Sequence, residues 1–368
     1  MIKVTLTNEM LKHITEIDRN RYDVSSVELP KTVSNRLRKN SKKKSSYAST
    51  KIEGNPLTED QADAVIDSEG HRHFLKPEQE VRNYYLALNY LEEMAEQNAP
   101  FSKKLILDVQ GLVEKGASKD KVGLRGPMPP GVLFAVYDAE TGAPEYIPPE
   151  YKDVPALLDE LVEYVNETDD HPLIVAAVVH YQLVTIHPFE DGNGRTARLL
   201  SGYILDTNGY GFGGIGSLEE YFAYDMQEYY DSIQMGLPAD YYSGRNDPPH
   251  AEVWINYFLR MVLLYSNKVR QLSRSSSTEA LKNCLSHLKG KEIDMLVLLV
   301  RNHRGEFTPI EVSREIGVSN RTVITRFASL ARVGLVAPHL VNERVRSYEL
   351  SDFAKQHEKE IKKLGKHK

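Results

Sequence analysis

Between Pro172 and Ile186 the chain is apolar on nearly every side, with Leu173, Ile174, Val175, Ala176, Ala177, Val178, Val179, Leu183, Val184 and Ile186 leaving no polar stripe. A helix that is hydrophobic all round is stable only when other elements enclose it, so this run predicts a buried helix in a helical core. It must stop near His187. Pro188 disfavours helical geometry in the residue before it, which sets an imidazole at the end of the buried segment.

The segment that begins there is dense in chemistry: His187-Pro188-Phe189-Glu190-Asp191-Gly192-Asn193-Gly194-Arg195-Thr196-Ala197-Arg198. Arg195 to Leu205 reads as a second helix, with Asn208-Gly209 as a left-handed stop. Gly192-Asn193-Gly194 then lies at a helix N-terminus, where unbonded N–H groups and the positive dipole end favour an anion. A tight turn between glycines shapes such groups into a phosphate nest. Arg195 and Arg198, three apart, share one helix face and can both reach that anion. Asp191 is placed to hold Mg²⁺ between two phosphates. His187 remains as a general base, a role typically contributing ~10²–10⁴ in rate.

This string resembles, without a substitution, the H-x-F-x-[DE]-G-N-G-R-x-x-R signature of the Fic family, over roughly residues 75–264. The resemblance implies AMP transfer from ATP to a Ser, Thr or Tyr hydroxyl of a target protein, with release of pyrophosphate. It implies His187 as the base that deprotonates the hydroxyl and Asp191 as the Mg²⁺ ligand. Gly192, Asn193 and Gly194 would cradle the α- and β-phosphates, Arg195 would contact the β-phosphate and Arg198 the γ-phosphate, with Thr196 counted among the nucleotide-binding residues. The related Doc kinases carry Lys where Gly194 stands, so this chain sides with AMP transfer. Tyr229 and Tyr230 fall where the family places a Tyr-Tyr pair beside the adenine, although Leu237 replaces an Asn that several relatives carry.

Upstream, Ser45 to Pro56 reads as a short helix ended by Gly54 and Pro56, with Ser49 and Glu53 on one face. It resembles the family's inhibitory motif [ST]-x-x-x-E-[GN]. The implied physics is a Glu53–Arg198 ion pair that competes with the γ-phosphate and holds ATP unproductively.

Composition narrows the alternatives. A single cysteine, Cys284, excludes an internal disulfide and any Cys-rich zinc site. No stretch reaches eighteen apolar residues and no signal peptide opens the chain, so a cytoplasmic protein with no membrane contact is expected. The net charge of −6 is uneven: residues 285–368 hold sixteen Lys/Arg against ten Asp/Glu, a balance of +6, leaving −12 for the rest. The basic run from Arg36 to Lys44 reads as a solvated face.

The expected fold class is mainly α: a Fic-type helical core with a small β-hairpin flap, plus a C-terminal winged helix-turn-helix. Helical periodicity marks 77–94, 103–114, 151–166 and 253–272, while tyrosines at helical spacing mark 218–233. The flap is read from Val132–Tyr137 and Glu145–Ile147, joined through residues 138–142, with an edge able to pair an incoming segment. The expected domains are residues 1–74 with an inhibitory helix around 45–54, a catalytic domain at 75–272, a polar linker at 273–284 and the winged helix at 285–368. In the last, Asn320, Arg321 and either Thr325 or Arg326 stand where a recognition helix contacts base edges, and Asn342-Glu343-Arg344 forms the wing tip.

The expected function is an autoinhibited protein adenylyltransferase that uses ATP and Mg²⁺ on an unidentified target hydroxyl and on itself. The alternatives are removal of AMP by a Glu53-positioned water, or a DNA-binding regulator with a nucleotide-sensing core. A homodimer and DNA contact stay open.

Overall fold

A computed structural model describes residues 2–68, 73–118, 122–137, 141–237, 245, 247–341 and 344–365. The chain is mainly helical, with two separate two-stranded antiparallel sheets. In order it forms α1 (Asn8–Ser25), α2 (Lys31–Ile52), α3 (Glu59–Asp67), α4 (Lys76–Glu96), α5 (Lys103–Glu114), β1 (Val136–Tyr137), β2 (Pro144–Tyr146), α6 (Val154–Glu167) and α7 (Pro172–Ile186). It continues through α8 (Asn193–Thr207), α9 (Glu219–Phe222), α10 (Met226–Gln234), α11 (Ala251–Ser286), α12 (Gly290–Asn302), α13 (Pro309–Ile316), α14 (Asn320–Arg332), β3 (Val336–Val341), β4 (Arg344–Leu350), α15 (Asp352–Gln356) and α16 (Glu358–Leu364). Two compact units result: Met1–Tyr22 with Leu37–Val269, and Asp23–Arg36 with Arg270–Lys368. No helix among the described residues is long and apolar enough to cross a membrane.

In the first unit α7 is the buried axis, and every residue from Leu173 to Leu183 is out of solvent. It packs on α6 and α8. Two polar groups drawn inside with it, the His180 ring and the Gln182 carbonyl oxygen, find partners, which matters because an unpaired buried donor or acceptor costs about 1–3 kcal/mol. His180 Nε2 lies 2.9 Å from the Tyr229 hydroxyl, Arg245 Nη1 donates to Gln182 Oε1 at 2.8 Å, and the Trp254 indole N–H donates to the Ala177 carbonyl at 2.8 Å.

The N-terminal part differs from its sequence reading. Where a short helix was expected around 45–54, α2 runs back to Lys31, and residues 37–52 belong to the first unit. Its inward face is polar, which conceals it from any search for an apolar stripe: Ser41, Lys43, Ser45, Ser46, Ser49 and Thr50 are all buried. Ser41 Oγ donates to the Gly216 carbonyl at 2.5 Å and Ser45 Oγ to Glu219 at 2.7 Å. The basic run is correspondingly only in part a solvated face: Arg36, Lys39 and Lys44 are exposed, while Lys43 is buried. Lys42 bonds Asn89 and Glu92, Lys43 pairs with Asp63 and Asp67, and Lys44 with Glu220.

Two other boundaries move. The helical spacing over 218–233 is interrupted, because Asp225 accepts a hydrogen bond from the Glu228 N–H and starts α10 afresh. Residues 273–284, expected as a linker, lie within helix α11. The hydroxyls of Ser273, Ser275 and Thr278 bond back to carbonyls three or four residues earlier, so they find acceptors within the helix itself.

The second unit encloses its own core of Met295, Leu296, Leu299, Phe307, Val312, Val323, Phe327, Leu330 and Val336. Thr308 caps α13 in a capping box with Glu311, Gly317 takes the left-handed turn, and Ser319 caps α14. β3 and β4 form an antiparallel hairpin after α14. Residues 342 and 343 of the expected tip lie outside the described residues, as do 138–140 of the first unit's hairpin loop.

Candidate active site

The site assembles where α7 ends and α8 begins. His187 terminates α7 in a left-handed conformation, φ 48° and ψ 59°, a region that residues other than glycine rarely occupy. Its Nδ1 lies 3.3 Å from the Val184 carbonyl. A carbonyl only accepts, so Nδ1 carries the proton and Nε2 keeps its lone pair. Burial pushes the imidazole down to about 4, with the Arg125 cation adding to that, while the Val184 carbonyl, Glu53 and Asp191 act the other way. The ring is neutral at physiological pH and ready to accept a proton.

The connection back to α8 is closed by Asn193. Its side chain accepts from the Phe189 N–H at 3.0 Å and donates to the Phe189 carbonyl at 2.9 Å, pinning the turn. Gly192 takes φ 81° at the N-cap, and a Cβ there would stand 2.7 Å from Glu114 Oε1, so glycine is required on two counts. The first intrahelical bond runs from Thr196 N to Gly192 O. The N–H groups of Asn193, Gly194 and Arg195 precede it and form the anion-favouring helix end.

Both arginines are almost wholly buried. Arg195 Nη2 lies 2.9 Å from Glu114 Oε1 and 3.1 Å from Asp191 Oδ1, which also accepts from the Gly192 N–H at 2.8 Å. Burial raises the Glu114 carboxyl above the usual range in spite of Arg195. Arg198 is held from α2: Nε donates to Ser49 Oγ at 2.8 Å, and Nη2 to the Ser49 carbonyl at 3.1 Å and to Glu53 Oε1 at 2.5 Å. The Glu53 carboxylate also crowds the place where a Gly194 Cβ would be. An acid just past the end of α2 therefore sits on the second arginine and over the helix end together.

His187, Asp191, Gly192, Asn193, Gly194, Arg195, Arg198, Ser49 and Glu53 are thus brought to one place. Thr196 is not presented there, a departure from expectation: it is fully buried and its N–H is spent on the first helical turn. Tyr229 lies on the core side of Arg198. It is buried against His180, Phe222 and Trp254 because its hydroxyl satisfies His180. Tyr230 is 44% exposed and donates to the carbonyl of Ile52, next to Glu53.

Asp191 fits a hard divalent cation only together with ligands from elsewhere. Its side chain is partly exposed, the nearby Glu114 is sealed inside, and no group of three His, Cys, Asp or Glu that could hold a metal occurs among the described residues. One carboxylate completed by phosphate oxygens and water is a usual environment for Mg²⁺.

Sequence reading missed Glu114 and Arg125. The first closes the mostly apolar inner face of α5, which also holds the buried Gln110; the second lies between Gly123 and Gly126 in a proline-rich stretch, where the change of composition was visible but not the residue's task. Arg125 Nε donates to the His187 carbonyl at 2.8 Å, and its guanidinium lies 4.6 Å from the centroid of the Phe134 ring.

A helical core that brings a histidine at one helix end against a glycine-built N-terminus of the next is the arrangement found in Fic folds. Residues 100–205 match the Fic/DOC family, and the chain carries that family's domain. It is similar to the protein adenylyltransferase Fic of Drosophila mojavensis, with 29% identity over 206 residues, and to that of Drosophila willistoni, with 28%. These matches cover 54% of this chain but only 38% and 39% of the respective relatives. Among solved structures, a Fic family protein from Desulfovibrio desulfuricans aligns with TM-score 0.58 and 20% identity over 95% of this chain and 98% of its own. Fic-1 from C. elegans aligns with TM-score 0.56 and 24% identity over 73% of each chain.

Proposed function

We infer that the first unit is a protein adenylyltransferase restrained by its own α2. The observation that carries this reading is the convergence of a neutral His187, the N-terminal end of α8 and two arginines, the second of them occupied by Glu53. The helix end and Arg195 take the phosphates nearest the reacting atom, and Arg198 takes the terminal one once Glu53 leaves. Asp191 would hold Mg²⁺ against the phosphates, where the ion neutralises charge on the leaving pyrophosphate. His187 Nε2 accepts the proton of a target Ser, Thr or Tyr hydroxyl as its oxygen attacks the α-phosphorus. The P–O bond to pyrophosphate breaks on the opposite side.

Glu53 on Arg198 makes the resting state inhibited, because a terminal phosphate and a carboxylate compete for one guanidinium. The test is AMP incorporation from labelled ATP, wild type against Glu53→Gly. Incorporation that rises with the substitution and vanishes on adding His187→Ala supports the reading. Removal of AMP from a modified protein is the rival outcome, and it predicts loss of demodification in Glu53→Gly.

The second unit is read as a nucleic-acid contact. Asn320, Arg321 and Thr325 are exposed at the capped start of α14, the end from which a recognition helix reads base edges. Duplex binding that weakens steeply with salt tests it.

A further inference from the structure

The last turn of α7 leaves carbonyls without intrahelical donors, and each helix of this kind ends with a negative dipole. Two of these carbonyls are taken by groups from the hairpin region. Tyr146 of β2 donates its hydroxyl to the Thr185 carbonyl, and Arg125 Nε donates to the His187 carbonyl at 2.8 Å. Arg125 does more than cap. Its backbone N–H donates to the Pro188 carbonyl at 2.9 Å, next to the bridge of Leu124 with Phe189, and its Nη2 donates to the carbonyl of Pro149 just past β2. The same guanidinium lies against the face of Phe134, just ahead of β1, and the Phe134 ring stands edge-on to His187 with centroids 5.9 Å apart. One 6% exposed side chain therefore touches the chain before the hairpin, the chain after it, and the backbone of the base.

We propose that Arg125 is a positioning residue that couples the β1–β2 hairpin to His187, so that the target segment laid along the hairpin and the imidazole that deprotonates its hydroxyl are held in one frame. This rests on the adenylyltransferase reading above. Three features support coupling over simple capping. His187 stands in a left-handed conformation, uncommon for a residue with a side chain, at the point where the Arg125 and Phe134 contacts meet. The guanidinium donates from two different nitrogens to carbonyls on separate segments, a fixed planar geometry that a compact ammonium does not reproduce. The ring contact from Phe134 ties the hairpin to the imidazole directly.

The experiment uses the full chain in the Glu53→Gly background, with Arg125→Ala and Arg125→Lys. ATP affinity is expected to change less than about twofold, because Arg125 does not touch the nest. The kcat for AMP transfer is expected to fall about 10²-fold in Arg125→Ala, the scale of a misplaced base. Arg125→Lys keeps the charge and loses the fork, and should recover less than about a tenth of the lost rate. Guanidinium ion at millimolar concentration should partly restore Arg125→Ala and leave His187→Ala inactive. Hydrogen exchange supplies a readout independent of activity: Arg125→Ala should raise exchange together in peptides covering 132–137, 143–151 and 184–190, and not in 196–205. Transfer within about threefold of the parent, an equal loss of ATP affinity, or exchange that rises in the hairpin and not at 184–190 overturns the coupling. If the Glu53→Gly parent itself transfers no AMP, the adenylyltransferase reading fails, and the exchange pattern alone decides the physical link.

Discussion

Oε1 of Glu53 lies 2.5 Å from Nη2 of Arg198, across 145 residues of sequence, and the same guanidinium is gripped by both the hydroxyl and the carbonyl of Ser49. Nε and Nη2 of Arg198 are thus engaged by the end of α2 and the residue that follows it. A ligand that needs this arginine must first dislodge a carboxylate that is one-third exposed, and so able to turn away into water.

Ser49→Ala tests how the arginine is held. The substitution removes the acceptor of Arg198 Nε while leaving Glu53 in place, so the pair should loosen without disappearing. Basal AMP incorporation is expected to rise above wild type and stay below that of Glu53→Gly. Equal incorporation in Ser49→Ala and wild type, at equal thermal stability, would count against Ser49 as part of the restraint.

The acidity of His187 predicts an unusual pH profile. A base pushed down to about 4 is protonated only as the pH falls toward that value, so the neutral, competent form persists well below an ordinary histidine's range. Removing Glu53 subtracts a group that raises the imidazole, so the restraint-free variant shifts no higher. For Glu53→Gly, kcat/KM should be nearly flat between about pH 5.5 and 7.5. A loss of about tenfold across that interval would show a base near 6.5 instead.

Glu114 should matter for stability as much as for nucleotide. It is buried with Arg195 and the two are 2.9 Å apart, so Glu114→Ala leaves a buried cation with Asp191 as its remaining counter-charge. Breaking such a pair costs about 3–5 kcal/mol, while Glu114→Gln keeps an acceptor and should cost less. Urea unfolding of the three proteins checks the order, and a Glu114→Ala variant as stable as wild type contradicts it.

Much of the site could be read from residue order because its parts are local. The all-round apolar run fixed α7 between Pro172 and Ile186, and Pro188 predicted its end at His187. Helix geometry alone then set two glycines and two arginines around one N-terminus. The features that stayed hidden depend on distant partners. The length of α2 was invisible because its buried face is built from serines, threonine and lysine that are acceptable only when Gly216, Asp67 and Glu219 come to meet them. Arg125 belongs to no periodic pattern, and its value comes from three carbonyls brought together by folding. Tyr229 carried the right spacing but faces His180 in the core, and spacing cannot say which of two adjacent tyrosines points inward.

For the second unit, a nucleic-acid partner predicts that Arg321→Ala weakens duplex binding and reduces its salt dependence by about one phosphate contact. Ile310, Ile324 and Leu340 are also exposed, which favours a protein partner if no duplex binds. Fluorescence anisotropy with random duplexes at rising salt separates the two.

The most direct test mixes Glu53→Gly protein with labelled ATP, Mg²⁺ and cell lysate, and follows AMP onto protein by mass spectrometry. Release of the restraint should yield peptides bearing added AMP on Ser, Thr or Tyr, absent with wild type at equal concentration and absent again when His187→Ala is added. Labelling that is equal in wild type and Glu53→Gly would contradict the restraint, and no labelled peptide from any of the proteins would contradict the transfer itself.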